Sequence, residues 1–345
     1  MSNSKRNASA LAAGGLFLAL ALTSCSLGDP EASGSKGSIN GGPAECTTVS
    51  ASASHHLPAT SPAQVGLEFF AEEVTKQTDG RVAIDVFSDG QLGGIAEMPS
   101  NLRSGGVDIA LIDGGVLAQF DPELGLLDLP YLFESMEEFN STMDGPFGES
   151  YNERVQTLGI SPLYWSAVGP RDMFFVDAKV TSPTDLKGLQ MRVPQAPIYI
   201  STFEAFGAAA TAIPSGDLYT ALDTGVVKGF ELPLSSTVDL NLNETVSVWA
   251  PTGHMMNNVL IAASPSFLNQ LCEKDQAAVQ TAVDSAKKIT REAWASANTD
   301  ASDTLKKSLT IMKNLDIAEF KNASEAVRTG FTEKNGSELY DSLNQ

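Results

Sequence analysis

Hydrophobic and polar positions along the chain alternate between two periods. Leu67, Phe70, Ala71 and Val74 recur at helical spacing within residues 62–77, and Gly80 ends the run. Val82, Ile84 and Val86 then alternate with other residues, the period of a half-buried strand. Leu92, Ile95, Met98 and Leu102 return to helical spacing. Val107–Ile112 is a continuous apolar run of the kind a buried parallel strand carries. The rhythm continues through Leu163–Val168, Met173–Val176, Gln190–Val193, a helix at Pro197–Phe206, Leu218–Thr224 and Val259–Ala262, with Cys46–Ala53 as a weaker first strand. After Ser264 the strands stop: residues 274–307 read as one long helix, with further helix to the end. The alternation predicts an α/β architecture with a helical C-terminal region. No internal repeat is visible.

The first 45 residues follow neither period. Lys5 and Arg6 precede an apolar stretch from Ala8 to Leu22, the layout of an export signal. That stretch is 15 residues long, short of the ~20 a membrane-spanning helix needs. Leu22-Thr23-Ser24-Cys25 resembles a bacterial lipobox, which implies cleavage of residues 1–24 and lipidation of the Cys25 thiol. Residues 26–43 are mostly Gly, Ser, Asn and Pro, so 25–45 reads as a flexible tether that cannot bury enough apolar surface to fold alone.

Cleavage leaves 321 of the 345 residues, enough for two domains, and 42% hydrophobic content suits a packed body. Loss of Lys5 and Arg6 takes the net charge from −20 to −22, which disfavours nucleic acid and anionic membrane surfaces as partners. Any anion this chain binds must be held by a local set of cations against the global field. Cys46 and Cys272 remain after lipidation. In an oxidising compartment they are either a disulfide or two buried thiols, and without a CxxC pair structural zinc has little support.

Catalytic chemistry finds little purchase. His55 and His56 are adjacent, so on a strand they point to opposite faces and cannot share a metal without a bend; His254 is the third histidine. There is no HExxH, GxSxG, P-loop or dinucleotide fingerprint, and the glycines of Gly90-Gln91-Leu92-Gly93-Gly94 are wrongly spaced to cradle phosphate. The reading is therefore a non-enzyme without cofactor or metal. Two arginines say more. Arg171 and Arg192 each lie beside apolar strand segments, where an unpaired guanidinium is costly, so each needs an anion. That anion is either a ligand or one of the 42 acidic side chains.

Several runs, in order, carry a family resemblance: Gly80-Arg81-Val82, Gly90-Gln91-Leu92-Gly93-Gly94, Leu124-Gly125-Leu126-Leu127-Asp128-Leu129-Pro130-Tyr131-Leu132-Phe133, Asp185 to Pro194 around Met191-Arg192-Val193-Pro194, and Asp217 to Val227. The body from about Cys46 to Ser285 resembles the DctP-like solute receptors of TRAP transporters. The resemblance implies a type II periplasmic-binding-protein-like α/β fold, with two domains joined by crossing strands and a long C-terminal helix. Residues 47–168 with 258–297 would form domain I, and 169–257 with 298–345 domain II. It further implies that both remaining cysteines lie in domain I.

In that family an arginine matching Arg192 binds the substrate carboxylate, and its planar fork offers two parallel donors. Arg171 falls at a second family arginine, with Pro170 where another residue is usual. His56 at the end of the first strand, Asp113 at the cleft mouth, Gln195 and Ser215 are further ligand contacts on the same grounds, and Trp165 is hinge core or cleft wall. The family's Gln-Glu-Asn-Pro reads Phe230-Glu231-Leu232-Pro233 here. Glu231 is retained as a contact, but Leu232 cannot make the asparagine's hydrogen bond, which leaves Gln195 or Asn257 as substitutes. Leu232 makes the pocket more apolar, and Asp113 would repel a second carboxylate. The expected ligand is accordingly not a simple C4-dicarboxylate but a monocarboxylate with hydroxyl or apolar bulk: a sugar acid, a hydroxy or keto acid, or an aromatic acid.

The resemblance implies an extracytoplasmic, lipid-anchored receptor that delivers its ligand to the small and large membrane subunits of a permease. A receptor presenting ligand to a sensor kinase is the alternative, and an extracytoplasmic enzyme would have to show turnover. Replacing Cys25 with serine should move the protein from the membrane to the soluble fraction on cell fractionation while leaving its ligand affinity unchanged.

Overall fold

In the computed structural model, residue 43 and residues 45–343 are described; the lipobox, Cys25 and nearly all of the tether lie outside the described residues. The chain runs β1 (Val49–Ser54), α1 (Pro62–Gln77), β2 (Val82–Phe87), α2 (Met98–Ser104), β3 (Ile109–Asp113), α3 (Met136–Met143), α4 (Pro146–Thr157), β4 (Ser161–Phe175), β5 (Gln190–Val193), α5 (Pro197–Ala205), β6 (Ala209–Ala212), α6 (Leu218–Asp223), β7 (Gly229–Pro233), α7 (Leu234–Asp239), β8 (Val248–Ala263), α8 (Pro265–Gln270), α9 (Glu273–Ser308), β9 (Thr310–Ile311), α10 (Ile317–Ala323), α11 (Glu325–Asn335) and α12 (Glu338–Ser342).

Among the described residues, nine strands join one mixed sheet in the order β2-β1-β3-β8-β4-β7-β5-β6, with β9 on β8. Its spine is the antiparallel pair β4–β8, which runs from Ser161 opposite Ala263 to Phe175 opposite Val248 with register shifts between Pro162 and Tyr164, Ala167 and Gly169, and Arg171 and Met173. β3 pairs with the end of β8, and β7 pairs with the end of β4, from Arg171 opposite Pro233 to Phe175 opposite Gly229. Parallel strands β1 and β2 extend one side, and parallel strands β5 and β6 the other.

Four apolar clusters line this sheet. One gathers Leu126, Leu127, Phe139, Tyr151 and Trp165; a second gathers Phe70, Val74, Ile261 and Trp294. The third and fourth lie on the β5–β7 side, around Phe203 and Phe206 and around Phe174, Phe230 and Trp249. Phe174 stacks on Phe230 at 5.1 Å and on Trp249 at 6.4 Å between ring centroids. The 36-residue helix α9 contributes Val279, Ala282 and Trp294 to the second cluster and Ala301 and Leu305 to the fourth, so it spans both sides of the sheet. Glu273 and Asp275 in its first turn and Lys306 and Lys307 in its last complement the helix dipole.

The α/β class and the long helix follow the periodicity, and α1 spans 62–77 as its pattern predicts, with proline at the start of its first turn. Four details differ. The segments Leu163–Val168 and Met173–Val176 are one strand, because the intervening Arg171 and Asp172 are buried with partners: Asp172 accepts from the Trp249 indole and the Gly253 amide, both at 2.8 Å. β8 begins 11 residues before Val259, its polar positions Thr252, His254 and Asn258 buried in the same way. The stripe from Leu92 is helical only from Met98, because Gly93 and Gly94 are poor helix formers and Pro99 sits where a helix starts. Strands do not stop at Ser264, since Thr310 and Ile311 add a short parallel strand to β8.

Cys46 and Cys272 form a disulfide across 226 residues of sequence, tying the chain ahead of β1 to the N-cap of α9. Replacing Cys46 with serine should lower stability by ~2–5 kcal/mol in urea unfolding, and reductant should lower the wild type by the same amount while leaving the variant unchanged.

Candidate functional site

The strands of the sheet end in a common cavity of about 740 Å³. The segments after β1, β3, β5, β6 and β7 reach it at their C-terminal ends, the position at which open α/β sheets bind ligands. The middles of β4 and β8 form its floor through Val168, Arg171, Asn257, Asn258 and Val259, and α9 reaches it with Trp294.

The two arginines are held differently. Arg171 on β4 is buried against Glu231 on β7: its Nε–H donates to one carboxylate oxygen, and Nη2 donates to the other at 2.7 Å. Nη1 donates to Asn257 Oδ1, and the guanidinium lies over the Tyr199 ring at 4.9 Å from its centroid. Burial pulls the Arg171 pKa down, but the charge of Glu231 outweighs it and the net shift is upward. For Glu231, burial pushes the pKa up, and Arg171 more than offsets it, so the carboxylate is held below its ordinary range. Behind this pair, the buried His254 ring lies 3.4 Å from Glu231 and is pushed towards its neutral form by burial.

Arg192 at the end of β5 is equally buried, yet its partners are neutral: Nε donates to the Ile213 carbonyl at 2.8 Å and Nη2 to Ser215 Oγ at 3.2 Å. Nη1 has no partner. A guanidinium has five N–H groups, so two on Nη1 and one on Nη2 remain, the edge that grips a carboxylate bidentately. Burial lowers its pKa to about 10, the Glu231 charge offsetting only part of it, which leaves it charged at neutral pH.

The opposite side carries acceptors. His56 Nδ1 stands 3.5 Å from Asp113 Oδ2, and neither atom has a hydrogen-bond partner. Asp128 is fully buried, accepting from the Tyr199 hydroxyl at 3.1 Å and Asn258 Nδ2 at 2.9 Å. Burial raises its pKa to about 6. The turn after Asp113 is Gly114-Gly115 because these side chains come so close: a Cβ on Gly114 would lie 2.0 Å from Asn258 Oδ1, and one on Gly115 2.0 Å from Asp128 Oδ2.

Eight of the residues expected from sequence line this cavity: His56, Asp113, Arg171, Arg192, Gln195, Ser215, Leu232 and Asn257. Two do not. Trp165 is core and not cleft wall, packed edge-on against Tyr151 at 5.4 Å with its indole N–H on Asn152 Oδ1. Glu231 is spent on Arg171, beneath the cavity surface. Of the two substitutes considered for the missing asparagine, Asn257 has its oxygen committed to Arg171, and Gln195 is exposed at the rim. Asp128, Tyr199, Asn258 and Trp294 also line the cavity and were not anticipated. Asp128 lies within a family run, but Asn258 and Trp294 sit beside apolar positions of a strand and a helix, where the pattern signals only core.

Comparison with known proteins agrees with this geometry. The family profile of DctP, the bacterial extracellular solute-binding proteins of family 7, matches residues 53–335. A solute-binding protein of Roseobacter denitrificans is 32% identical over 223 residues, covering 64% of this chain and 68% of its own length. The structure of a TRAP periplasmic solute-binding protein from Chromohalobacter salexigens with bound D-glucuronate aligns at TM-score 0.82 and 26% identity, covering 85% of this chain and 97% of that one. One from Polaromonas bound to D-erythronate aligns at 0.80 and 25%, with coverage of 85% and 97%.

A carboxyl whose folded pKa is raised stabilises the fold below the unfolded value, and that stability is lost as pH rises through the folded value. For Asp128 the window runs from the ordinary value of 3.8 to about 6. Asp128→Asn should therefore lose less stability than wild type between pH 4.5 and 7, by on the order of 2 kcal/mol, in urea titrations at each pH. Equal losses in the two proteins would show that Asp128 does not titrate in this range.

Proposed function

This chain belongs to the bacterial extracellular solute-binding proteins of family 7, and from that premise we propose that Arg192 clamps the carboxylate of a small organic acid in the cavity between two domains. It is a periplasmic solute-binding protein of the TRAP type and not an enzyme. The observation that carries the ligand reading is the contrast between the two arginines. Both are buried, but Arg171 is neutralised by Glu231, whereas Arg192 is buried without an acid and keeps three N–H groups free. In a chain of net charge −20, a buried cation left unpaired is expensive unless an anion completes it.

The domains are those of the sequence reading, 47–168 with 258–297 and 169–257 with 298–345. β4 and β8 carry the chain across the first two boundaries and α9 across the third, and the irregularities of the β4–β8 register near Ala167–Met173 supply flexible points for closure. Ligand held by Arg192 on one side and by the end of β3 on the other stabilises the closed form through contacts the open form lacks. The ligand class is a hydroxylated monocarboxylate, such as the sugar acids bound by the related receptors. Leu232 removes one carboxylate contact, and Asp113 repels a second carboxylate at the far end. Delivery is to the membrane subunits of a TRAP permease. Lipid on Cys25 holds the receptor beside it, raising effective concentration without a new contact.

Differential scanning fluorimetry against an organic-acid panel tests the ligand class. D-Glucuronate, D-galactonate or D-erythronate should raise the melting temperature, and succinate and malate should not; stabilisation by the dicarboxylates alone would overturn it. Arg192→Lys keeps the charge but loses the fork, and calorimetry with the best acid should show an affinity loss of roughly a hundredfold with little change in the melting temperature of the ligand-free protein.

A further inference from the structure

The two histidines after β1 part company. His55 turns into the core, fully buried, with Nε2 2.6 Å from Gln64 Oε1 on α1. His56 faces the other way and lines the cavity beside Asp113. Both backbones are pinned. The His55 amide donates to the Phe87 carbonyl at 3.0 Å and the Asp89 amide to the Leu57 carbonyl at 2.9 Å. Asp113 stands opposite Val259 in the β3–β8 ladder. β1 and β3 are adjacent parallel strands, with Ser54 opposite Ala110, so their ends bring the two side chains together. We infer that Asp113 holds His56 in the tautomer with its proton on Nδ1, and that His56 Nε2 and Asp113 Oδ1 then form a paired acceptor that selects a ligand hydroxyl. The inference rests on the reading of the cavity as an organic-acid site and names what recognises the acid beyond its carboxylate.

The contact between the two side chains is turned inward. Nδ1 and Oδ2 lie 3.5 Å apart, both are buried, and neither has a hydrogen-bond partner. A ring lone pair facing a carboxylate oxygen at that distance repels it, whereas an N–H attracts it, so the carboxylate decides the tautomer. The side chains remain 13% and 26% exposed, and with Nδ1 and Oδ2 covered that exposure falls on their outer atoms. Among the described residues no group bonds Nε2 or Oδ1, and neither atom is fully buried. An imidazole with its proton on Nδ1 only accepts at Nε2, and an ionised carboxylate only accepts.

Two neighbouring acceptors select for a group that donates. A hydroxyl donates to either of them. A ketone carbonyl or an ether oxygen has no proton to give, a carboxylate adds like charge, and an alkyl group leaves both acceptors without water or partner. A site built to bond a hydroxyl rejects the analogue that lacks it, because its own polar atoms are then left unpaired. Asp113 thus does more than repel a second carboxylate: as a positioning residue it sets what His56 can read.

The test uses the full mature protein at pH 8, above the ordinary histidine range. Nitrogen-15 spectra of protein labelled in its imidazoles, with His56 assigned by its absence from His56→Phe or His56→Gln, should show a protonated Nδ1 and a bare Nε2. Asp113→Asn should move His56 towards the Nε2–H form, since an amide N–H can donate to Nδ1. An Nε2–H form in the wild type would overturn the inference before any ligand is added. Calorimetry then takes the tightest binder among D-gluconate, D-galactonate, D-glucuronate and D-erythronate and its analogues with one hydroxyl removed in turn. Wild type should lose about tenfold for at least one analogue, and His56→Phe or His56→Gln should cut the loss at that same position to less than about threefold. If the loss at every position is the same in the variants as in the wild type, the pair reads no hydroxyl, and the inference falls while the Arg192 clamp stands. If wild type binds none of the four acids, the organic-acid reading itself fails.

Discussion

The pairing of β4 with β8 is the constraint on which the rest of the molecule depends. These two long antiparallel strands join the β1–β3 side of the sheet to the β5–β7 side, and among the described residues no other strand pair does so. Every side chain at the base of the cavity is positioned by them. Arg171, Asn257 and Asn258 sit on the strands themselves, and Glu231 is brought opposite by β7 pairing along β4. The strands tolerate buried charge at their centre because each charged group is met within the same layer: Arg171 by Glu231 and Asn257, Asp172 by Trp249 and Gly253. Desolvation is costly for each group alone, and the ladder makes it bearable by fixing the partner at hydrogen-bonding distance.

Charge is then distributed unevenly about the cavity. On one side a guanidinium is left without an acid, and on the other an aspartate and a histidine stand beside each other without hydrogen bonds. Between them, Asp128 is buried deeply enough to hold a proton up to about pH 6, and it bridges Tyr199 of α5 and Asn258 of β8. On the proposed function, a strongly acidic protein takes up its anion here through one buried cation whose hydrogen-bond partners are neutral. This places specificity in the local hydrogen-bond inventory and not in the global field.

Much of the fold was legible in periodicity. The amphipathic stripe of α1, the alternation of β2 and the length of α9 each follow from a pattern that only one element can bury. The crossing strands were legible only in pieces, since Gly169, Pro170, Arg171 and Asp172 interrupt one and Pro251, Gly253 and His254 the other. Residues that break a strand in isolation are held in β4 and β8 by partners distant in sequence. The site divides likewise. Arg192 was marked by an arginine inside an apolar strand, and eight expected residues do line the cavity. Trp165 and Glu231 lie elsewhere, one in the core and one in an internal ion pair.

What the chain determined by itself is therefore the class of architecture, the family runs, the placement of arginines where charge must be answered, and the scarcity of catalytic groups. Periodicity and residue chemistry are local properties, and they survive without knowledge of neighbours. Only the tertiary structure decided which arginine is spent and which is free, which asparagine oxygen is occupied, and that a tryptophan on a distant helix opens onto the cavity. Those outcomes depend on partners 60 to 130 residues apart in sequence, as with Arg171 and Glu231 or Asp128 and Asn258. A buried polar atom acquires its meaning from what does or does not stand opposite it.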